Sequence, residues 1–163
     1  MTPNVAITDV SESVKIGESQ EQAVLDKYIA YLDATYPNHQ YKAIPFPPLA
    51  SLDYLILADD NILCYLEIKV RTKWFQDTIV PITKELVSLF DFNYHKIPTW
   101  LLIYTLTDKS LRMFDMSAPP GKRQPVTRKD RNVTRHHSFY GEYTNITGDK
   151  SVTQDAKSSN KKN

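Results

Sequence analysis

Asp53, Glu67 and Lys69 are the residues of this chain whose types and spacing could do chemistry together. Residues 52–58 (Leu-Asp-Tyr-Leu-Ile-Leu-Ala) and 62–70 (Ile-Leu-Cys-Tyr-Leu-Glu-Ile-Lys-Val) are β-rich apolar runs on either side of Asp59-Asp60-Asn61, a turn-forming triplet whose Asn tolerates a left-handed backbone. A three-residue hairpin loop would set Ala58 opposite Ile62 and Asp53 opposite Glu67. Side chains alternate along a strand, so Lys69 would share the face of Glu67 and Asp53. Carboxylates on opposed residues, with β-carbons about 4.5–5.5 Å apart, repel unless a cation lies between them or one is protonated. A hard divalent ion held by one or two carboxylates, waters and phosphate oxygens suits the set. An exposed Glu67–Lys69 ion pair on a solvated strand, with Asp53 a polar strand end, is the alternative on these residues alone.

The neighbouring elements must place those groups. From Gly17 a helix is expected, with Glu21, Val24, Leu25, Tyr28, Ile29 and Leu32 at spacings of three and four and Pro37-Asn38 ending it. Glu21 is the acidic member of that stripe. It reads either as a carboxylate facing inward or as favourable acidity at a helix N-terminus, a role open to Glu18 as well. Residues 1–16 read as a flexible N-terminus, and 40–46 as a first strand closed by Pro45-Phe46-Pro47-Pro48. A second helix is expected from Pro81-Ile82-Thr83, capped by Thr83 and buried through Leu86, Leu89, Phe90, Asn93 and Tyr94. Lys84 in its first turn reads as solvated or as pointing at the acidic site. Residues 99–106 are a nearly continuous apolar run, hence a buried strand, turned by Asp108-Lys109 into a last strand at 111–116.

Composition narrows the class. The chain has 163 residues, 41% hydrophobic and 24% charged, ordinary proportions for one globular domain. Its single cysteine, Cys64, excludes an internal disulfide framework and fits a reducing cytosol. No window approaches a membrane span of roughly 18–20 apolar residues, and the polar N-terminus lacks a signal-peptide pattern, so an intracellular, cytoplasmic, soluble protein is expected with no membrane partner. The net charge of +1 hides an asymmetry: residues 1–121 hold 10 Lys and Arg against 15 Asp and Glu, whereas 122–163 hold 10 against 4. The basic segment 119–144, with Lys122, Arg123, Arg128, Arg131 and Arg135, reads as a polyanion contact or a solubilising extension, alternating aromatics at 138–144 could add an edge strand, and 145–163 reads as a disordered polar tail. Arg71, Lys73 and Trp74 put cations beside an aromatic ring after the hairpin, which suits phosphate contact and base stacking, rim packing or a dimer contact. His136-His137 without nearby cysteines makes a poor zinc site.

The order helix, strand, two-strand hairpin, helix, strand, strand, together with Asp53 and Glu67-Ile68-Lys69, resembles the PD-(D/E)XK nuclease superfamily over residues 17–116. Residues 17–24 look like the first helix of its archaeal Holliday-junction-resolvase branch, which maps that branch's helix glutamate onto Glu21. The resemblance implies an α/β fold with a restriction-endonuclease-like αβββαβ core over residues 17–118, a central mixed sheet flanked by helices. It further implies hydrolysis of DNA phosphodiesters, RNA being open, with Mg²⁺ or Mn²⁺ held by Asp53, Glu67, the Ile68 backbone carbonyl and Glu21, and Lys69 beside them. Leu52 stands where the family's motif has proline, and the glutamine that several branches carry on the second helix is missing, which leaves substrate choice open. A chain this small that cuts both strands of a duplex would work as a homodimer.

Overall fold

The computed structural model describes residues 10–74, 78–128, 132–146 and 152–153. In chain order they form α1 (Val10–Thr35), β1 (Tyr41–Pro45), β2 (Tyr54–Ala58), β3 (Asn61–Arg71), β4 (Thr78–Pro81), α2 (Ile82–His95), β5 (Thr99–Thr105), β6 (Ser110–Asp115), β7 (Lys122–Arg128), β8 (Val133–Tyr140), β9 (Thr144–Asn145) and β10 (Val152–Thr153). The fold is mixed α/β. A seven-stranded sheet runs β1-β2-β3-β5-β6-β9-β10, and a three-stranded sheet runs β4-β8-β7. All pairs are antiparallel except β3 with β5, which align Tyr65 with Thr99 through Arg71 with Thr105. A parallel pair needs a crossover, and β4 with α2 supplies it.

The large sheet is buried on both sides of β5, which is why residues 99–105 read as a continuous apolar run rather than an alternating one. On one face α1 lays Val24, Leu25, Tyr28 and Leu32 against Ile56, Cys64, Leu66, Ile68 and Leu102. On the other, Leu101, Ile103, Phe114 and Met116 pack with Val80 and Tyr140 of the small sheet. Each such side chain taken fully from water contributes roughly 1.5–3 kcal/mol.

Three expectations are corrected, and the basic extension gains a defined structure. Helix α1 begins at Val10, so the segment read as a flexible N-terminus includes its first turns; residues 10–15 carry no apolar period, yet extending a nucleated helix adds one hydrogen bond per residue fixed. The basic segment 119–144 is largely the β7–β8 ribbon, Lys122 pairing Phe139 through Arg128 pairing Val133. Most of its residues up to His136 are exposed, which erases the alternation that marks a half-buried strand. The tail expected to be disordered starts inside the core: Asn145 pairs with Arg112, and Ile146 packs beneath α1. Finally, α2 is rotated from its apolar stripe. Glu85 and Ser88 are buried, while Leu86, Phe90 and Tyr94 are 53%, 55% and 72% exposed, and no side chain caps its start. Polar contacts made by Lys84 and Glu85 hold that rotation, as described next.

Candidate active site

Two features of the hairpin decide where its charges fall. The loop has two residues, Asp59 and Asp60, both left-handed at φ 49° and 63°, the arrangement of a type I′ turn; Asn61 already pairs with Ala58. The register then shifts between Ile56 and Leu57, because Leu63 is an extra, unpaired residue on β3. One residue fewer in the turn and one more in the strand cancel. Beyond the bulge Ile56 faces Cys64 and Tyr54 faces Leu66, the register that a three-residue loop would have produced. That pairing ends at Tyr54, one residue short of Asp53.

Strand β2 peels away from β3 at that point. The Asp53 N–H still donates to the Leu66 carbonyl at 2.9 Å, and its carbonyl accepts from the Phe46 N–H at 2.9 Å. The next free donor on β3, the Ile68 N–H, is met by Asp53 Oδ2 at 2.7 Å. The carboxylate thus takes the place of the missing strand carbonyl. The N–H and C=O of one strand residue project to the same edge, so the Ile68 carbonyl opens into the same notch.

Glu67, 4% exposed, lies on the sheet face that α2 covers. Lys84 reaches it from the first turn of α2, Nζ to Oε2 at 2.6 Å. Burial raises the pKa of Glu67, the Lys84 hydrogen bond opposes that rise, and the nearby Asp53 charge reinforces it. Burial lowers Lys69 to about 8; the Glu67 charge counteracts this, and the positive charges of Arg71 and Lys84 add to it. Two carboxylates and two lysines are therefore within electrostatic reach of one another. Leu52, which precedes Asp53 in the chain, lines a cavity of about 310 Å³ with Tyr65, Val87 and Asp91.

The other residues singled out in the sequence take varied places. Glu21 accepts a long 3.4 Å hydrogen bond from the Tyr54 hydroxyl; among the described residues no three His, Cys, Asp or Glu side chains are gathered to hold one metal ion. The Glu18 side chain lies outside the described set. Trp74 stacks on Phe114 at 6.0 Å, meets Tyr143 at 5.3 Å and carries the Arg112 guanidinium 4.1 Å from its ring centre, so rim packing accounts for it rather than an open stacking platform. Arg123 forks onto Glu85, which also accepts from the Ser138 hydroxyl. Lys122 covers the Phe139 ring at 4.7 Å. Lys73, Lys122 and Arg135 are exposed and Arg71 is half-buried, whereas the Arg128 side chain and Arg131 lie outside the described residues.

Sequence reasoning missed two polar clusters. Glu85 is fully buried where α2 meets the small sheet, and the Arg123 fork with the Ser138 hydroxyl holds its carboxyl below the usual range against the opposing effect of burial. Arg112 is buried beside Thr105, Ser110 and Asp108. The signal available for Arg112 was a charged residue inside the apolar run 110–116; Glu85, next to Lys84, carried none.

Two carboxylate oxygen donors and a strand carbonyl fit a hard divalent ion that completes its shell with water and phosphate oxygens. Among the described residues no helix is long and apolar enough to cross a membrane. Comparison of the chain with protein-family models, with curated proteins and with solved structures finds no match.

Proposed function

We propose that this protein is a metal-dependent nuclease that hydrolyses phosphodiester bonds in DNA, built on a restriction-endonuclease-like αβββαβ core. The observation that carries the reading is the notch between β2 and β3, where Asp53 and Glu67 come together with Lys69 and Lys84 beside them. The succession α1, β1, β2, β3, α2, β5, with β3 parallel to β5, supports the same core. Asp53, Glu67 and the Ile68 carbonyl would hold Mg²⁺ or Mn²⁺, which when bound supplies the Lewis acidity that polarises the scissile phosphate. Glu21, which accepts from the Tyr54 hydroxyl, would orient the water shell of that ion.

The chain's own groups would do the rest. Lys69 Nζ, with its pKa brought to about 8, holds a proton for phosphate contact in part of the population and offers a lone pair to an attacking water in the remainder. Lys84, released from Glu67 when the carboxylate turns to a metal, would meet charge developing on the phosphate oxygens. Lys73, Lys122 and Arg135 would track the backbone, so affinity should fall with salt. A homodimer would place two such sites on a duplex.

A second reading follows from one contact. The closed Lys84–Glu67 pair already neutralises the buried carboxylate, as a non-catalytic nucleic-acid-binding or partner-binding descendant of the fold would do. Labelled supercoiled, linear, single-stranded and branched DNA, with RNA, incubated in Mg²⁺, Mn²⁺ or EDTA separates the two. Metal-dependent scission lost in Asp53→Asn and Glu67→Gln supports the nuclease. Retention of nucleic acid that ignores EDTA, with no scission in any ion, supports the binder.

A further inference from the structure

The sheet face away from Glu67 carries a second concavity of about 400 Å³, between the C-terminal half of α1 and the turn end of the β2–β3 hairpin. Its walls are aromatic: Tyr28 and Tyr31 from α1, Tyr36 just beyond it, Tyr41 from β1 and Trp100 from β5. Tyr28 is buried at the floor, whereas Tyr36 is 57% exposed at the mouth. Leu63 lines it too, and it is the bulged residue, taken out of strand alternation by the register shift between Ile56 and Leu57. The volume is that of pockets which enclose small organic ligands, roughly 300–1,000 Å³.

The mouth is acidic. Asp59 is fixed there by the Gln40 N–H on Oδ1 at 2.8 Å and by His39 Nδ1 on Oδ2 at 2.5 Å, contacts that hold its carboxyl below the usual range. His39 is itself a lining residue, its ring 6.1 Å from that of Tyr41. The Tyr41 hydroxyl donates to the Tyr36 carbonyl at 2.8 Å, joining two walls of the mouth. None of the described residues lining the cavity is Lys or Arg.

Electron-rich ring faces attract a desolvated cation, and a carboxylate at the mouth attracts it from a distance while repelling anions. A neutral apolar molecule would use the walls and gain nothing from the rim. We propose that this cavity binds an organic cation, a quaternary or alkylated ammonium group, with the tyrosine and tryptophan rings around the charge and Asp59 at the entrance. The seven-stranded sheet separates it from the phosphodiester site, so the two can be tested independently.

The probes are choline and its neutral isostere 3,3-dimethylbutan-1-ol, titrated into the full chain by calorimetry at low salt. Choline should bind at least roughly two- to fivefold more tightly than the alcohol, the lower range of a cation–ring contribution. Tyr36→Ala, which removes an exposed wall without opening the core, should weaken choline by roughly two- to tenfold and the alcohol by less, whereas Asp59→Asn, which keeps an acceptor for the Gln40 N–H and suits the left-handed backbone there, should weaken choline by roughly two- to tenfold and leave the alcohol unchanged. Equal affinity for the two probes, no binding of choline at millimolar concentration, or choline binding untouched by both substitutions would overturn the proposal.

Discussion

Lys84 Nζ lies 2.6 Å from Glu67 Oε2, joining the first turn of α2 to the centre of β3. Its neighbour Glu85 turns the other way, to Arg123 and Ser138 of the small sheet. Two successive helix residues thus tie both sheets together and keep the apolar stripe of α2 facing out.

Lys84→Met should therefore affect more than charge. Glu67 would stay buried beside Asp53 without its closest cation, and its pKa should climb further above the ordinary carboxylate range. In the metal-free protein the Glu67 carboxyl should titrate at higher pH in the variant than in the wild type, as read by carboxyl-carbon NMR. An unchanged titration would show that Lys84 is not the group stabilising its ionised form.

Asp53 has a structural and a chemical role that two substitutions separate. Asp53→Asn keeps an acceptor for the Ile68 N–H and should change stability little, whereas Asp53→Ala leaves that donor unmet and should cost about 1–2 kcal/mol in urea unfolding. Both should abolish metal-dependent cleavage. Equal stability of the two variants would mean that the hydrogen bond does not fasten the notch.

Lys69 gives a signed pH dependence. Its folded pKa, about 8, lies below the 10.5 of an ordinary lysine, so between those values the unfolded chain binds more protons and stability rises with pH. The stability difference between wild type and Lys69→Met, measured in EDTA, should grow in favour of wild type from about pH 8 to about 10.5 and be flat below that window. A flat difference throughout would mean that Lys69 titrates like a solvated lysine.

Ser138→Ala removes one donor to the fully buried Glu85 and should cost about 1–3 kcal/mol in unfolding free energy. Arg123→Ala, which takes away the fork, should destabilise further. If neither changes the urea midpoint, the polar clasp is not what orients α2.

Much of the large sheet was legible because its strands obey simple periods. Tyr41–Pro45, the hairpin and residues 99–105 were found within a residue or two of their observed bounds. The expected pairing of Asp53 with Glu67 rested on a loop one residue too long; the bulge at Leu63 restores that register up to Tyr54 opposite Leu66, and the ladder ends there, with the Asp53 N–H on the Leu66 carbonyl. A bulge leaves no mark on an apolar run such as Ile62-Leu63-Cys64, so the agreement there was reached by a different geometry. What stayed hidden was long-range polar pairing. Leu86, Phe90 and Tyr94 carry the spacing of a core stripe, yet ion pairs formed by Lys84 and Glu85 with residues 17 and 38 positions away set the rotation of α2. Of the β7–β8 ribbon only the aromatic end of β8, within 138–144, gave a strand signal; the positions from Lys122 to His136 mostly face water, so no hydrophobic period announces them.

The central claim is tested most directly by single-turnover cleavage of labelled duplex and branched DNA in Mg²⁺ or Mn²⁺, comparing wild type with Lys69→Ala. Wild type should cut only with the divalent ion, and Lys69→Ala should lose cleavage by at least about a hundredfold while keeping its fold and its affinity for DNA in EDTA. Cleavage by Lys69→Ala at the wild-type rate, or no cleavage by wild type on any substrate in either ion, would contradict it.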